Sequence, residues 1–302
     1  MRTIYLQVGY HKTATTFLQQ YIYPKLKQVN YIKQKQIKSY LQDIRLRHLS
    51  NTKVEEIRSY VDSFDNDNPI LISYEGLSGS PFAPRKTKKQ ANILIGLQRI
   101  FPATEYDVHV IVGIRSQVAL FTSLYIQHIH MGGVLDAYGY LNYCRNNGSL
   151  QSLNFHNYLQ KVEKTFGRDR LYVMIYEDFR QNPADEIRKL LHFMGEREIP
   201  KYSTKTSARK SNKSYGVAQV RIARKLNKYF KSRSNPKGRI PTIRIPKIGN
   251  LAPRTLLQTR ISYTLHYKKY ELPEDIRELL KERYAEGNKK LAKRYDLELP
   301  DI

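Results

Sequence analysis

Four short apolar segments alternate along the chain with longer stretches in which apolar residues recur every three or four positions. The short segments are rich in β-branched and aromatic residues, which is typical of strands. Near-continuous apolar strands separated by helices predict an α/β fold with a parallel sheet covered on both faces. The predicted strands are Thr3–Val8, Pro69–Tyr74, Val108–Ile114 and Leu171–Tyr176.

Two of the helical stretches carry clear start signals. Asn182–Pro183 predicts the start of one helix, because Asn caps well and Pro suits the first helical position. Gly195 can end that helix in a left-handed conformation. Pro273 begins a last helix that runs towards Tyr295 with apolar residues at helical spacing.

Composition limits the class of protein. The chain has 302 residues, and 40% of them are apolar, which is enough for a packed core. The sequence contains no stretch of about 18 uninterrupted apolar residues, so it predicts no transmembrane helix. The first residues predict a strand rather than a signal peptide. The single cysteine, Cys144, excludes an intrachain disulfide and a cysteine-rich metal site. We therefore expect a cytoplasmic protein.

The charge is extreme and uneven. The formal net charge is +25, and the segment from Lys201 to Tyr270 holds 19 Lys and Arg but no Asp or Glu. Such a segment indicates an anionic partner. Within it, Gly216–Phe230 predicts a basic amphipathic helix, and Ser232–Pro253, rich in Pro, Gly, Ser and Arg, predicts an extended loop.

The loop after the first strand has the composition of an anion site. A Gly at position 9 is followed by Lys12, Thr13, Thr15 and Thr16 and then by a helix. Backbone N–H groups at a helix N-terminus bind anions, and the Lys charge and the Thr hydroxyls add to them. A Walker A loop needs a Gly directly before the Lys, and a His stands there instead, so the loop does not predict ATP bound as in P-loop kinases.

The segment Gly9–Leu18 resembles the 5′-phosphosulfate loop of sulfotransferases that use 3′-phosphoadenosine 5′-phosphosulfate (PAPS). Those enzymes usually have Lys-Ser/Thr-Gly-Thr-Thr there, and Ala14 replaces the Gly in this chain. The resemblance implies a P-loop-like three-layer fold, an EC 2.8.2 activity and PAPS as donor. It also implies that Lys12, Thr13, Ala14, Thr15 and Thr16 contact the donor.

A second element is similar to the part of this family that holds the 3′-phosphate. Arg115 follows the third strand, and Ser123 comes eight residues later. Arg at the carboxyl end of a parallel strand faces the ligand crevice of an open α/β sheet, and its guanidinium can bind a phosphate with two hydrogen bonds. The resemblance implies that both residues bind the 3′-phosphate.

Further matches extend the resemblance towards Ser214. Tyr176 lies in a Tyr-Glu-Asp segment similar to the one in which the family's Tyr touches the adenine. Phe17 stands where the family often has an aromatic residue that stacks on the base, and a core aromatic is the alternative interpretation. Arg209 and Lys210 lie in a segment similar to the basic turn that closes over the 3′-phosphate.

The resemblance also implies catalytic roles. Lys12 would neutralise the charge that grows on the leaving phosphate, and the acceptor needs a base to take its proton. Glu75, which follows the second predicted strand, is the first candidate for the base, because related bacterial and glycan sulfotransferases use a Glu. His11 is the second candidate. We see no metal-ligand cluster and expect no metal.

Two further histidines are candidates for the acceptor side of the site. His128 and His130 lie beyond Ser123 on the same predicted helix, where they could face the acceptor. His109 stands inside a predicted strand and is expected to be a core residue.

The sequence predicts a single sulfotransferase domain, with a core of residues 1–214 and 271–302 and a basic insert of about 215–270. The family resemblance is to bacterial, carbohydrate-type members, so we expect an acidic or neutral glycan or a lipid-linked glycan as acceptor, modified at a hydroxyl rather than an amine. Contact with the inner face of an anionic membrane is a second interpretation of the basic segment. A kinase or NTPase and a non-catalytic nucleic-acid-binding protein are the competing functions, and the oligomeric state stays open.

Overall fold

The computed structural model has one central parallel sheet, and its described residues are 1–41, 44, 49–64, 67–79, 90–202, 214–241, 243–245, 249–257 and 268–299. The strands of this sheet are β1 Arg2–Gln7, β2 Asn30–Ile32, β3 Ile70–Ser73, β4 Tyr106–Ile114 and β5 Leu171–Ile175. Their order is β2-β3-β1-β4-β5, and all neighbours are parallel. The four predicted strands are therefore confirmed. The edge strand β2 was missed, because three residues are too few to form an apolar segment.

Helices connect the strands and cover the sheet. They are α1 Thr15–Phe17, α2 Gln34–Leu41, α3 Asn51–Asp62, α4 Gln90–Ile100, α5 Gln117–His130, α6 Ala137–Asn147, α7 Ser149–Ser152, α8 Phe155–Phe166, α9 Tyr176–Gln181, α10 Pro183–Phe193, α11 Val217–Asn227, α12 Pro253–Leu257 and α13 Glu274–Tyr295. In the part of the chain described here, no helix is long and apolar enough to cross a membrane.

Both faces of the sheet are buried. On one face, Tyr5, Leu71 and Ile111 pack in a cluster with residues of the turn that follows α1 and with α10. On the other face, β4 and β5 contact α8, and Ile72 and Val110 are fully buried. The α/β fold with a sheet flanked by helices is confirmed.

The start signals of α10 and α13 were also correct. Asn182 caps α10, since its side chain accepts a hydrogen bond from the backbone N–H of Asp185 at 3.3 Å. Gly195 follows the end of α10 with φ of +70°, as a terminating glycine does. The helix α13 begins at Glu274, directly after Pro273.

The chain divides into two compact units. The first comprises Met1–Ser116, Gln151–Ala208 and Ala285–Ile302 and contains the parallel sheet. The second comprises Gln117–Leu150 and Arg209–Tyr284, so it joins the basic segment with α5 and α6. The sequence had not associated those two helices with the basic segment.

In the second unit, the predicted basic helix is present as α11. The predicted extended loop Ser232–Pro253 was only partly correct. It contains an antiparallel pair of three-residue strands, β6 Ile243–Ile245 and β7 Gly249–Leu251. Two strands this short do not produce an alternating pattern that stands out among Pro and Arg residues.

The centre of the sheet requires a glycine on β4. A Cβ at Gly113 would lie 2.6 Å from Oγ1 of Thr13 and 2.9 Å from its Cβ. Gly113→Ala is therefore expected to lower the free energy of unfolding by about 1–3 kcal/mol, as overpacking does. Urea unfolding measures this.

The matched control for Gly113→Ala is Gly287→Ala in α13, where the nearest atom to a new Cβ would be 3.6 Å away. This change should raise the free energy of unfolding by about 0.5–1 kcal/mol, because Ala favours a helix more than Gly does. Equal stability of the two variants would contradict the close packing at Gly113.

Candidate active site

The loop after β1 leaves the sheet at its carboxyl edge. Val8 donates its N–H to Ile111 O at 3.0 Å, and Tyr10 donates to Gly113 O at 3.2 Å, so the chain follows β4 before it turns away. The Tyr10 hydroxyl donates to Ser152 O at 2.9 Å. After β1 the chain turns towards β3, whereas after β4 it turns towards β5, so the loop lies where ligands bind in open α/β sheets.

Thr13 closes this loop against the sheet. Its hydroxyl donates to Tyr10 O at 2.6 Å, and its buried side chain lies in the space that Gly9 and Gly113 leave open. In this structure the Thr13 hydroxyl proton is used inside the loop, and the contact of Thr13 with the donor stays a prediction.

Two non-glycine residues in the loop have left-handed backbone conformations. Lys12 has φ of +70° and Ala14 has φ of +63°. Such a conformation costs a residue with a Cβ about 1–2 kcal/mol. At position 14 the usual glycine of the family would avoid this cost, so Ala14 keeps the loop shape at the expense of strain. The Lys12 side chain is exposed.

Thr15 and Thr16 begin α1 in different environments. Thr15 is buried, and within the described residues its Oγ1 has no hydrogen-bond partner. A buried hydroxyl without a partner costs free energy, so it indicates a ligand that would accept its hydrogen bond. Thr16 is exposed, and α1 continues into a π-helical turn, Leu18–Ile22, a feature common at functional sites.

His11 and Glu75 form a pair at the same edge of the sheet. The His11 Nδ1 lies 2.8 Å from the Glu75 Oε2, and both side chains are about a quarter exposed. Glu75 starts a 3₁₀ turn, Glu75–Ser78, directly after β3. The two residues were predicted as alternative bases, and the structure brings both together.

Two polar side chains fix the end of β3 beside the loop. The Ser73 hydroxyl donates to the Gln7 Oε1 at 2.5 Å. Gln19, in the π-helical turn, donates its amide to the Ser73 Oγ at 2.9 Å and to the Ser73 O at 3.2 Å. These bonds join the ends of β1 and β3 and the π-helical turn to one another.

Arg115 lies beside the loop on the other side of β1. Its guanidinium carbon is 4.5 Å from the ring centroid of Tyr176, its Nε is 3.8 Å from the Glu177 Oε1, and its Nη1 donates to Lys12 O at 3.4 Å. Burial lowers the pKa of Arg115 from its ordinary value. A desolvated guanidinium with one distant carboxylate indicates a site for a further anion.

Phe17 is part of an aromatic cluster. Its ring centroid lies 5.5 Å from Phe179 and 5.8 Å from Tyr202, both in edge contact. The side chain is half-buried and packs against the core beneath the sheet. The core interpretation of Phe17 is therefore correct, and stacking on a base stays a prediction.

Three residues predicted to bind the 3′-phosphate with Arg115 do not belong to the first unit. Ser123 lies half-buried on α5 in the second unit, and its part in binding the 3′-phosphate stays a prediction. Arg209 and Lys210 lie outside the described residues.

The other three histidines contact aromatic or acidic side chains, and a part for His128 and His130 at the acceptor stays a prediction. The His128 ring lies 4.9 Å from the Tyr140 ring, and the His130 ring lies 4.0 Å from that of Tyr215, all within the second unit. His109 Nε2 hydrogen-bonds the Asp107 Oδ2 at 2.8 Å, which fits the structural role predicted for it. No group of three His, Cys, Asp or Glu side chains among the described residues could hold a metal ion.

A family model for the sulfotransferase domain matches residues 4–240. The chain belongs to the sulfotransferase domain family. It is a sulfotransferase of the EC 2.8.2 class, and the donor is PAPS. The match includes the loop after β1, β3, β4 and β5, and α11.

Solved sulfotransferases resemble the chain at low identity. One from Alicyclobacillus acidocaldarius is 14% identical with a TM-score of 0.49, covering 68% of this chain and 86% of that one. A sulfotransferase domain from the curacin biosynthetic pathway is 11% identical with a TM-score of 0.40, covering 99% of both chains. Mouse sulfotransferase SULT7A1 complexed with PAP is 9% identical with a TM-score of 0.34, covering 94% of this chain and 84% of that one. No curated protein matches the chain.

The residues around the loop fit a phosphate-bearing donor. Phosphate oxygens would accept a hydrogen bond from the partnerless hydroxyl of Thr15 and would compensate the desolvated charge of Arg115. Sequence reasoning gave no role to Glu177, whose carboxylate accepts the Ser116 N–H at 3.3 Å and lies beside Arg115. It also overlooked Gln19, since an amide in a helical turn carries no signal of what it reaches.

Two isosteric substitutions, Thr13→Val and Thr15→Val, distinguish the residue that stabilises the loop from the residue expected to bind the donor. Thr13→Val should lower the free energy of unfolding by about 1–3 kcal/mol, because it leaves the buried Tyr10 carbonyl without its partner. Thr15→Val should instead raise the free energy of unfolding by about 1–3 kcal/mol, because it removes a buried hydroxyl that has no hydrogen-bond partner among the described residues. Chemical unfolding of both variants measures the difference.

The affinity for the donor should be affected by Thr15→Val, the variant that is not expected to lose stability. Thr15→Val is expected to weaken the binding of adenosine 3′,5′-bisphosphate by about tenfold, which is one lost hydrogen bond to a charged group. Isothermal titration measures this affinity. Undiminished affinity in Thr15→Val would show that its hydroxyl does not face the donor.

Because the His128 side chain is largely buried, the free energy of unfolding is expected to depend on pH. Burial lowers the pKa of His128 to about 4, whereas an unfolded His titrates near about 6.5. As the pH falls through that range, the unfolded chain takes up the proton and the folded chain does not. Stability should therefore fall between about pH 6.5 and 4, by about 3 kcal/mol at most.

His128→Gln should lack this part of the pH dependence, and urea unfolding at several pH values compares it with the wild type. A His128 ring resonance that titrates near its ordinary pKa in the folded protein would contradict the burial of a neutral imidazole.

Proposed function

We propose that this sulfotransferase moves the sulfuryl group of PAPS to a hydroxyl of a carbohydrate or of a glycan linked to a lipid. The observation that carries the proposal is the grouping at the carboxyl edge of β1. The His11–Glu75 pair, the Lys12 backbone and the Arg115 guanidinium are joined there by contacts of 2.8 Å and 3.4 Å. A cation, a proton acceptor and an anion site in one place are the groups that sulfuryl transfer needs.

Lys12, Thr15, Thr16 and the loop amides would hold the 5′-phosphosulfate end of the donor, and Arg115 the 3′-phosphate. PAPS supplies the sulfuryl group, which passes to the acceptor oxygen as the bond between sulfur and the 5′-phosphate oxygen breaks. Lys12 would neutralise the charge that this phosphate oxygen gains. Positioning and charge stabilisation dominate such loose transfers.

Glu75 would take the proton that the acceptor hydroxyl loses. His11 then acts as a positioning residue, because its Nδ1–H can donate to Oε2 of Glu75 and fix the carboxylate. A carboxylate held by one oxygen keeps the other oxygen directed at the acceptor. In this proposal Glu75 is the base and His11 positions it, so the two residues act together.

The charge of the protein supports an acceptor that is anionic or carried by an anionic group. The net charge is +25, and the segment between positions 201 and 270 contributes 19 cations and no acids. An acidic sugar, or a sugar joined to a lipid phosphate, fits this sign of charge.

The function is tested with labelled PAPS and a panel of acceptors: acidic glycans, lipid-linked glycans, neutral sugars and amines. We expect transfer to a glycan hydroxyl, and Lys12→Ala should lower kcat by about 100-fold or more while the fold is retained. Thermal stabilisation by ATP–Mg²⁺ or an oligonucleotide, without stabilisation by adenosine 3′,5′-bisphosphate, would overturn the proposal.

The roles of Glu75 and His11 are separated by matched substitutions. Glu75→Gln should lower kcat by about 100-fold or more and leave bisphosphate affinity within about twofold. Glu105→Gln, an exposed Glu at the opposite edge of the sheet beside Arg58, is the control and should leave kcat unchanged.

The Asn side chain can place a donor where the His Nδ1 lies, whereas Gln places one where the Nε2 lies. His11→Asn should therefore retain much more of the wild-type kcat than His11→Gln or His11→Ala. If all three variants are equally inactive while Glu75→Gln remains active, His11 is the base.

A further inference from the structure

One face of α11 in the second unit is exposed and cationic. Arg221, Ile222 and Lys225 have exposed side chains on α11, and Lys228 and Tyr229 have exposed side chains directly after its end. We call these five side chains the cationic face. These positions recur every three or four residues, so they form one stripe. Between positions 216 and 241 the chain has eight Lys and Arg and no Asp or Glu.

The opposite face of α11 is fixed inside the second unit. Val220 and Ala223 are buried, and the Asn227 side-chain amide donates to Ile129 O at 2.9 Å and to Gly133 O at 2.8 Å. The apolar side of this amphipathic helix is therefore used by the fold. What the helix offers to a partner is the cationic face.

Apolar side chains stand among these cations. Ile222 is 47% exposed, Tyr229 is 59% exposed and Ile240 is 41% exposed. Ile240 lies beside Tyr229, because its N–H donates to Tyr229 O at 2.8 Å and its carbonyl accepts from Lys231 N at 2.7 Å. Three exposed apolar groups among cations form a mixed surface, which a purely polar partner does not satisfy.

We propose that the cationic face, together with Ile240, docks on an anionic phospholipid membrane. Lys and Arg attract acidic headgroups, while Ile222, Tyr229 and Ile240 can enter the boundary between headgroups and acyl chains, as such groups do at interfaces. A glycan or nucleic acid would pair with the cations but would leave the two Ile side chains without an apolar contact. A second copy of this face would be repelled by its charge.

The inference is independent of which acceptor is sulfated, although a membrane would present a lipid-linked acceptor to the enzyme. The full chain is sedimented with neutral phosphatidylcholine vesicles and with vesicles in which about a third of the lipids are phosphatidylglycerol. Binding is expected only to the anionic vesicles and should weaken as salt is raised.

The apolar contribution is tested without changing charge. The double variant Ile222→Ser, Tyr229→Ser should bind anionic vesicles at least about tenfold more weakly. The matched control is Ile95→Ser in the first unit, where the side chain is 60% exposed on α4, and it should bind within about twofold of the wild type. Lys225→Gln should bind anionic vesicles about fivefold more weakly, because one cation near the membrane surface contributes about that much to the affinity.

The stabilisation by adenosine 3′,5′-bisphosphate is measured for every variant. Unchanged stabilisation shows that the variant is folded and separates failure of this inference from failure of the proposed function. Equal binding to neutral and anionic vesicles, or equal losses in the Ile95 control, would overturn the inference. So would tight binding to a sulfated glycan or an oligonucleotide without binding to anionic vesicles.

Discussion

The active-site edge depends on the packing of Thr13 against Gly113. Because β4 has no side chain at that point, the loop after β1 lies directly on the sheet, and Thr13 fills the space and bonds the Tyr10 carbonyl at 2.6 Å. This contact fixes the turn in which Lys12 and Ala14 take left-handed conformations. A loop held in that shape before the donor binds loses little freedom on binding, which is how preorganised sites gain both affinity and rate.

The charges of the site are arranged around this loop and on either side of β1. The His11–Glu75 pair stands at the end of β3, and Arg115 stands at the end of β4 with Tyr176 over its guanidinium. The separation is useful, because a carboxylate close to the guanidinium would neutralise the cation that a phosphate needs. Glu177 is the exception, because its Oε1 lies 3.8 Å from the Arg115 Nε, where it attracts the guanidinium without a hydrogen bond to that nitrogen.

In the second unit, one side of α11 packs within the fold while the other side is exposed and cationic. Amphipathic helices at membranes usually insert their apolar side, and membrane contact was one of the sequence interpretations of the basic segment. In the folded protein the apolar side of α11 packs within its own unit, anchored by the two bonds of Asn227. The outward side keeps its cations and a few isolated apolar residues, so charge sets the attraction and Ile222 and Tyr229 add contact with the interface.

The sequence by itself determined the parallel sheet, and it located the turn after β1 and the Arg after β4 as candidates for anion binding. Each depends on local signals: apolar strands, a Gly-Lys-Thr-rich turn and a cation at a strand end. It could not decide the partner of each side chain. Thr13 and Thr15 look alike in the sequence, yet one bonds the loop and the other is left without a partner in the described structure. His11 and Glu75 are 64 positions apart and meet at 2.8 Å only because β1 and β3 are neighbours. Contacts between distant positions arise from strand order and packing, which no local pattern encodes, so only the tertiary structure decided them.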